Sequence, residues 1–269
     1  MPLTIREQQG LRFIDTRPGQ DASSVLLLHG LFGGSFEWSE TIRALNRNGY
    51  RVVLPIIPLD QLPDGKTNVL GAVDYVRSVV EALGLDSITI IGNSLGGQMA
   101  LFYYLRYPES VNSLVLAGSS GIHEETMGAT SIRRHDKEFI RERATRSFFD
   151  PNHVIADLVD RIHTIVSDRT RALRMVKMVR SSAKENLQNQ LSRVRIPTQL
   201  IWGRNDEITP PHVGVAFAQL LPSAELHFID NCGHAPMKEH PDTFNALALG
   251  FLQRTIGVPD PHAMANASA

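Results

Sequence analysis

The sequence predicts an α/β fold built on a mostly parallel sheet flanked by helices, and three observations carry that expectation. Short, unbroken apolar runs recur at Val25 to Leu28, Arg51 to Leu54, Ile88 to Ile91, Leu114 to Leu116, Gln199 to Trp202 and Glu225 to Ile229. Runs without alternation suit strands that are buried on both faces. Helical periodicities lie between several of them. Strand and helix taken in alternation leave parallel pairing as the natural connection.

Each element has a local reason. The chain opens with two short alternating segments, Leu3-Thr4-Ile5-Arg6 and Leu11-Arg12-Phe13-Ile14, separated by Gln8-Gln9-Gly10, which reads as a hairpin. Trp38, Ile42 and Leu45 repeat at helical spacing and stop at Gly49. Val69 to Leu83 repeats the pattern through Val73, Val76 and Val80 and stops at Gly84. The helix from Leu95 to Tyr107 ends before Pro108, because a residue preceding proline disfavours helical geometry. Phe244, Leu247 and Phe251 mark a last amphipathic helix. Residues 121–195 break the alternation, with helical texture and no buried strand. They hold 15 Lys or Arg against 10 Asp or Glu, about +5 in a chain whose formal net charge is -1. Inserted between two strands, such a segment reads as a lid over the strands' C-terminal edge, where open sheets bind ligands. The expected organisation is a core of residues 1–120 and 196–257, a helical cap at 121–195 and a fraying tail at 258–269.

Composition excludes several function classes. With 42% hydrophobic and 20% charged residues among 269, the chain is neither disordered nor fibrous. Its near-neutral charge gives no general attraction to nucleic acid or to an anionic membrane, so neither is expected as a partner. Cys232 is the single cysteine, which excludes an internal disulfide and a cysteine-built metal site. Arg6, Glu7, Arg12 and Asp15 interrupt the first 24 residues, so a signal peptide is not expected there. No apolar run approaches the roughly 20 residues of a membrane span. A cytoplasmic protein acting on a small molecule, without metal or cofactor, is the expectation.

The chemistry-bearing motifs sit at strand ends. Gly92-Asn93-Ser94-Leu95-Gly96-Gly97 follows the strand Ile88 to Ile91 and opens the next helix. A serine on so sharp a turn projects above the sheet at a helix N-terminus, where developing negative charge is favoured. His29-Gly30-Leu31-Phe32-Gly33-Gly34 follows the strand Val25 to Leu28. Acyl transfer passes through a tetrahedral oxyanion that needs two fixed N–H donors, and the expected pair is Leu31 and Leu95. A phosphate-binding glycine loop is the rival, but neither Gly-Lys-Ser/Thr nor GxGxxG spacing is present.

A serine hydroxyl needs a base. Of ten histidines, His234 follows the last strand within Cys232-Gly233-His234-Ala235-Pro236, while His29 reads as a structural hydrogen-bonder. His123, His135, His153 and His163 fall in the insertion, His212, His227 and His240 have no convergent partner in sequence, and His262 is in the tail. The imidazole needs an acid to fix its tautomer. Asp206 follows the strand ending at Trp202, with Glu207 as competitor and Asp230 less favoured by its place at a strand end. The chain order Ser94, Asp206, His234 is that of a known serine-hydrolase arrangement.

On these residues the sequence resembles the α/β-hydrolase superfamily over about residues 3 to 254. His29-Gly30 matches its oxyanion loop, Gly92 to Gly96 its nucleophile turn, Gly203 to Asp206 its acid loop and Gly233-His234 its histidine loop. The resemblance implies an eight-stranded sheet, with residues 121–195 as the cap. Serine at the nucleophile position argues against the branches that form an ester on an aspartate. Trp202 to Asp206 and Cys232 to His234 are similar to carbon–carbon hydrolases that cleave aromatic ring-fission products. Arg161 then corresponds either to their carboxylate-binding cap arginine or to a solvated helix residue. Ala235 departs from the tryptophan those enzymes usually carry after the histidine.

The implied mechanism is acyl transfer: His234 takes the Ser94 proton, Asp206 stabilises the imidazolium, and water clears the acyl-enzyme. Phe32, Trp38, Leu95 and cap residues are candidates for an apolar pocket, with Trp38 equally open to a core role. The first expectation is hydrolysis of small to medium carboxylic esters. Carbon–carbon hydrolysis of a vinylogous keto acid is the alternative, and a ligand receptor that keeps the triad is a third reading.

Overall fold

The computed structural model describes residues 3–17, 23–122 and 135–257. The expectations for His123, His262 and the tail at 258–269 lie outside the described residues. Strands β1 (Ile5–Gln8) and β2 (Leu11–Asp15) form the expected hairpin. Gln9 and Gly10, both at positive φ, close it in the mirror-image turn that suits strand twist. Then follow β3 (Ser24–Leu28), α1 (Ser39–Arg47), β4 (Arg51–Pro55), α2 (Val69–Ala82), β5 (Ile88–Asn93), α3 (Leu95–Arg106) and β6 (Val111–Ala117). Helices α4 (Lys137–Thr145), α5 (Ala156–Ser167) and α6 (Arg169–Lys184) separate β6 from β7 (Thr198–Gly203). The chain finishes with α7 (Pro211–Leu220), β8 (Ala224–Ile229), α8 (Pro236–Glu239) and α9 (Pro241–Ile256).

The eight strands form one sheet in the order β1-β2-β4-β3-β5-β6-β7-β8. β2 runs antiparallel to β1 and β4, and every other pairing is parallel. Strand order reverses at β3, which lies between β4 and β5. The C-terminal ends of β3 and β5 therefore flank the crevice where open α/β sheets bind ligands. Those ends carry His29 and Ser94.

Both faces of the sheet are buried, as the unbroken apolar runs require. Leu26, Leu28, Ile88, Ile90, Leu114 and Leu116 pack with Val73, Val76, Val80, Met99 and Phe217 from α2, α3 and α7. Val25, Leu27, Val52, Leu54 and Val115 point to the other face, against Ile42 and Leu45 of α1 and Phe244, Phe251 and Leu252 of α9. Burying each such side chain contributes about 1.5 to 3 kcal/mol. Trp38 belongs to this second cluster. It is fully buried and meets Phe244 edge-on, with ring centroids 6.1 Å apart. Of its two open roles the structure gives it the core, because the apolar stripe of α1 faces the sheet and Trp38 begins that stripe.

Helix α7 has no counterpart among the sequence expectations. Its apolar residues, Val213, Val215 and Phe217, alternate as in a strand, and the overlooked signal is Pro210-Pro211, since proline suits the first turn of a helix. The inserted helices dock on the core through Ile165, Met175 and Met178, which join the main apolar cluster, and through polar contacts. Gln98 on α3 donates to the carbonyls of Ser182 and Glu185 at 3.0 and 2.9 Å and accepts from the Ser182 hydroxyl at 2.6 Å. Arg171 on α6 pairs with Asp60, which follows β4.

Candidate active site

Ser94 sits at φ 55°, ψ −124° between β5 and α3. A non-glycine residue at positive φ stores strain, which its surroundings must hold. Its N–H donates to the Ala117 carbonyl at 3.0 Å, and its carbonyl accepts from the N–H groups of Gly97 at 2.9 Å and Ser120 at 3.1 Å. The glycines on either side are demanded by close approach. A Cβ on Gly92 would stand 2.4 Å from the Gly96 carbonyl oxygen, and one on Gly96 would stand 2.1 Å from that of Leu28. No side chain larger than hydrogen fits at either place. Leu95 is the first residue of α3, so its N–H belongs to a helix N-terminus beside the serine.

Asp206 and His234 come together from the loops after β7 and β8. His234 Nδ1 lies 2.8 Å from Asp206 Oδ2, and both residues are buried. Since a carboxylate only accepts, Nδ1 carries the proton in this contact, and Nε2 is left as the basic nitrogen. Asp206 is held from four directions: the N–H groups of Ile208 and Thr209 donate to Oδ1 at 2.8 and 2.9 Å, the Thr209 hydroxyl to Oδ2 at 2.9 Å, and His234 to Oδ2. Its competitors are engaged elsewhere. Glu207 is exposed and pairs with Arg146, and Asp230 is exposed and pairs with Arg204.

Three further residues surround the Asp206–His234 pair, and the first of them ties it to the turn at Ser94. Asn93, next to Ser94, donates from Nδ2 to the carbonyls of Ala117 at 3.0 Å and His234 at 2.9 Å. Gly118, at φ +47°, lies so close that a Cβ there would stand 3.0 Å from both Asp206 Oδ2 and His234 Nδ1. Thr209 contributes its hydroxyl. Sequence reading passed over all three. Asn93 lies inside the serine motif, Gly118 follows β6 and Thr209 is three residues past Asp206, so their positions held a signal that their residue types alone did not.

The loop after β3 packs on Ser94, since a Cβ on Gly30 would stand 3.3 Å from Ser94 Cβ. Leu31 follows Gly30 and is partly buried, as is Phe32, which bridges the core and the inserted helices. His29 plays a structural part. Its Nε2 accepts from the Ile57 N–H at 3.2 Å, so Nδ1 carries the proton and donates to the Gly30 carbonyl at 2.8 Å. Burial holds its pKa down to about 4, which keeps the ring neutral.

Arg161, on α5, departs from the solvated reading. Its guanidinium is partly buried, donates to the carbonyl of Gly33 and lies over the Phe36 ring, 5.5 Å from the centroid. Burial pulls its pKa down while the charges of Glu37 and Asp60 push it up. Glu37, which sequence reading did not single out, has its carboxylate folded over the same loop and accepts from the Gly34 N–H at 3.3 Å. Burial pushes its pKa up to about 7 against the opposing pull of that N–H, Arg161, His234 and Lys238.

Cys232 is buried, and its thiol is pushed far up by burial and by the charges of Glu239 and Asp206, so it is no competing nucleophile. An open cleft of about 480 Å³ lined by Ser24, Arg51, Asp86 and Asn112 lies at the opposite, N-terminal ends of the strands. Among the described residues no group of three or more His, Cys, Asp or Glu is placed to hold a metal ion, and no helix is long and apolar enough to cross a membrane.

Comparison with known proteins agrees with this architecture. Residues 23–174 and 139–241 match the family model described as alpha/beta hydrolase fold. The 2-hydroxy-6-oxononadienedioate/2-hydroxy-6-oxononatrienedioate hydrolases of Klebsiella pneumoniae and Escherichia coli K12 are 30% identical over 256 residues, covering 88% of this chain and 89% of theirs. Among solved structures, an alpha/beta hydrolase enzyme from a sediment metagenome of the Mar Chica lagoon, Morocco, is 30% identical with a TM-score of 0.75, covering 93% of this chain and 98% of its own. A meta-cleavage product hydrolase from Pseudomonas fluorescens shares the fold at 24% identity and a TM-score of 0.78, covering 91% of this chain and 95% of its own.

Proposed function

The chain belongs to the alpha/beta hydrolase family, and within it we propose a serine hydrolase that cleaves a carbon–carbon bond beside the carbonyl of a vinylogous keto acid. The observation that carries this reading is Arg161, brought from α5 against the carbonyl of Gly33 rather than left in solvent. A guanidinium so held has N–H groups to spare for a substrate carboxylate, and charge-assisted pairs of this kind are strong and directional. The relatives named as hydrolases of 2-hydroxy-6-oxo dienedioates support the same choice over the ester cleavage that the motifs first suggested.

The chemistry follows from the geometry. Asp206 fixes the Nδ1 proton of His234, so Nε2 takes the proton of Ser94 as its Oγ attacks the ketone carbon. The oxyanion is received by the N–H groups of Leu31 and Leu95; donors of this kind are each worth about 3 to 4 kcal/mol. With the substrate in its 2-oxo form, the electron pair of the breaking carbon–carbon bond passes through the adjoining double bond onto the 2-oxo oxygen, beside the carboxylate that Arg161 holds. His234 returns the proton to the leaving carbon skeleton, and water then hydrolyses the ester on Ser94. Phe32 and Leu95 supply apolar wall, the helices between β6 and β7 act as the lid, and no cofactor takes part.

Carboxylic ester hydrolysis remains the second reading, favoured by Ala235 in place of the tryptophan of carbon–carbon hydrolases. Turnover of 2-hydroxy-6-oxohexa-2,4-dienoates and of p-nitrophenyl esters, in wild type, Ser94→Ala and Arg161→Gln, separates the two. The proposal expects Ser94→Ala to abolish both. Arg161→Gln is expected to lower kcat/KM on the keto acid by about 10- to 100-fold, far more than on the ester, from loss of a charged hydrogen bond. Ester turnover without any keto-acid turnover would install the second reading.

A further inference from the structure

Glu37 and Arg161 converge on one dipeptide. A Cβ on Gly33 would stand 2.4 Å from Glu37 Oε2, and a Cβ on Gly34 would stand 2.3 Å from Arg161 Nη1. Glu37 accepts from the N–H of Gly34, and Arg161 donates to the carbonyl of Gly33. The two side chains act on each other through their charges, yet no ion pair joins them among the described residues. A carboxyl and a guanidinium thus share the loop that carries Leu31 without neutralising each other by contact. A carboxylate bound by Arg161 would add a second negative charge beside Glu37.

We propose that Glu37 determines specificity at this subsite: an anionic substrate enters only as Glu37 takes up a proton, whereas a neutral substrate enters whatever the charge on Glu37. The inference rests on the carboxylate-binding reading of Arg161 given above. The proton comes from solvent and remains on the Glu37 carboxyl, and no covalent bond of the substrate changes.

The charged surroundings allow the exchange. Facing Glu37 are Arg161 from α5, His234 from the loop after β8 and Lys238 from α8. Arg161 in turn feels Asp60 from the loop after β4, and His29 on the shared loop is held neutral. Burial outweighs the cations and sets the Glu37 carboxyl at about 7, so both forms are populated near neutral pH. An incoming carboxylate favours the protonated form, so its affinity is greatest below that value and weakens as the pH rises through it.

Isothermal titration calorimetry with hexanoate and its neutral counterpart hexanamide, between about pH 6 and 8.5 and in buffers of different ionisation heat, tests this. For the wild type the dissociation constant of hexanoate should rise about thirtyfold over that range, with net proton uptake near pH 7, while that of hexanamide stays flat. In Glu37→Gln the rise should shrink to less than about twofold and the uptake should vanish. Undiminished pH dependence and uptake in Glu37→Gln would overturn the proposal and assign the proton to His234. Absence of uptake in the wild type would overturn it without any variant. Hexanoate affinity unchanged in Arg161→Gln would instead overturn the carboxylate-binding reading on which the proposal rests.

Discussion

The Asn93 side chain donates to the carbonyl oxygen of His234 at 2.9 Å, so the residue before Ser94 holds the backbone of His234. The same amide nitrogen donates to Ala117 at 3.0 Å, one residue from Gly118. Nucleophile turn, β6 end and histidine loop are thereby tied at one point. Asn93→Ala removes both donations; the Ala117 carbonyl keeps the Ser94 N–H, but the His234 carbonyl loses this donor, at a cost of about 1 to 3 kcal/mol in stability. Misplacement of the base should lower kcat by about 10- to 100-fold with little change in KM. Steady-state kinetics beside urea unfolding checks both halves, and an unaltered kcat would remove Asn93 from any positioning role.

Gly118 makes a sharper case. At φ +47° a side chain is strained, and its Cβ would crowd Asp206 Oδ2 and His234 Nδ1 at 3.0 Å each. Gly118→Ala is expected to cost about 1 to 2 kcal/mol of stability through the backbone. The larger effect should fall on turnover, reduced by about 100-fold or more as the pair is pushed apart. Full activity in a folded Gly118→Ala protein would contradict the tight fit at the pair.

Asp206 and Glu207 are neighbours with different fates, and exchanging each for its amide separates them. Asp206→Asn takes the acceptor from His234 Nδ1 and should lower kcat by about three to four orders of magnitude through the wrong tautomer. Glu207 is exposed and pairs with Arg146, so Glu207→Gln should remain within about twofold of wild type. The reverse ranking would move the acid to Glu207.

His29 links folding to pH. Its pKa is held down to about 4 in the folded protein against about 6.5 when unfolded, so between those values the unfolded chain binds more protons. Its contribution is fully present above about pH 6.5 and is lost as the pH falls towards 4, amounting to up to about 3 kcal/mol. Urea midpoints of wild type and His29→Gln should therefore converge in that window. A constant difference between pH 4 and 7 would contradict a neutral buried His29.

How much of this was readable before the structure depended on how local each signal is. Ser94, Asp206 and His234 each follow an apolar strand within three residues of a glycine, so sequence neighbours reveal their place on turns at the strand ends. The sheet was readable for the same reason, since Leu26 and Val25 point to opposite faces and both must be apolar. Trp38 was ambiguous because pocket and core favour the same side chain, and the packing of Phe244, some 200 residues away, decides between them. Glu37 and Arg161 were harder still. A carboxylate in a Gly-Ser-Phe turn and an arginine on a polar helix look solvated until α5 is laid against the β3 loop. Helix α7 was missed because alternating small apolar residues mimic a strand, and Pro210-Pro211 was the better guide.

Labelling with a fluorophosphonate tests, without knowledge of the substrate, whether Ser94 is a nucleophile activated by His234 and Asp206. Attack by Ser94 Oγ on phosphorus expels fluoride and leaves a phosphonyl ester that intact-mass measurement and peptide mapping locate. The account predicts one adduct per chain, on Ser94, absent from Ser94→Ala and slowed by about a hundredfold or more in His234→Ala. Labelling that persists in Ser94→Ala, or an adduct mapped to another residue of the active wild-type protein, would contradict it.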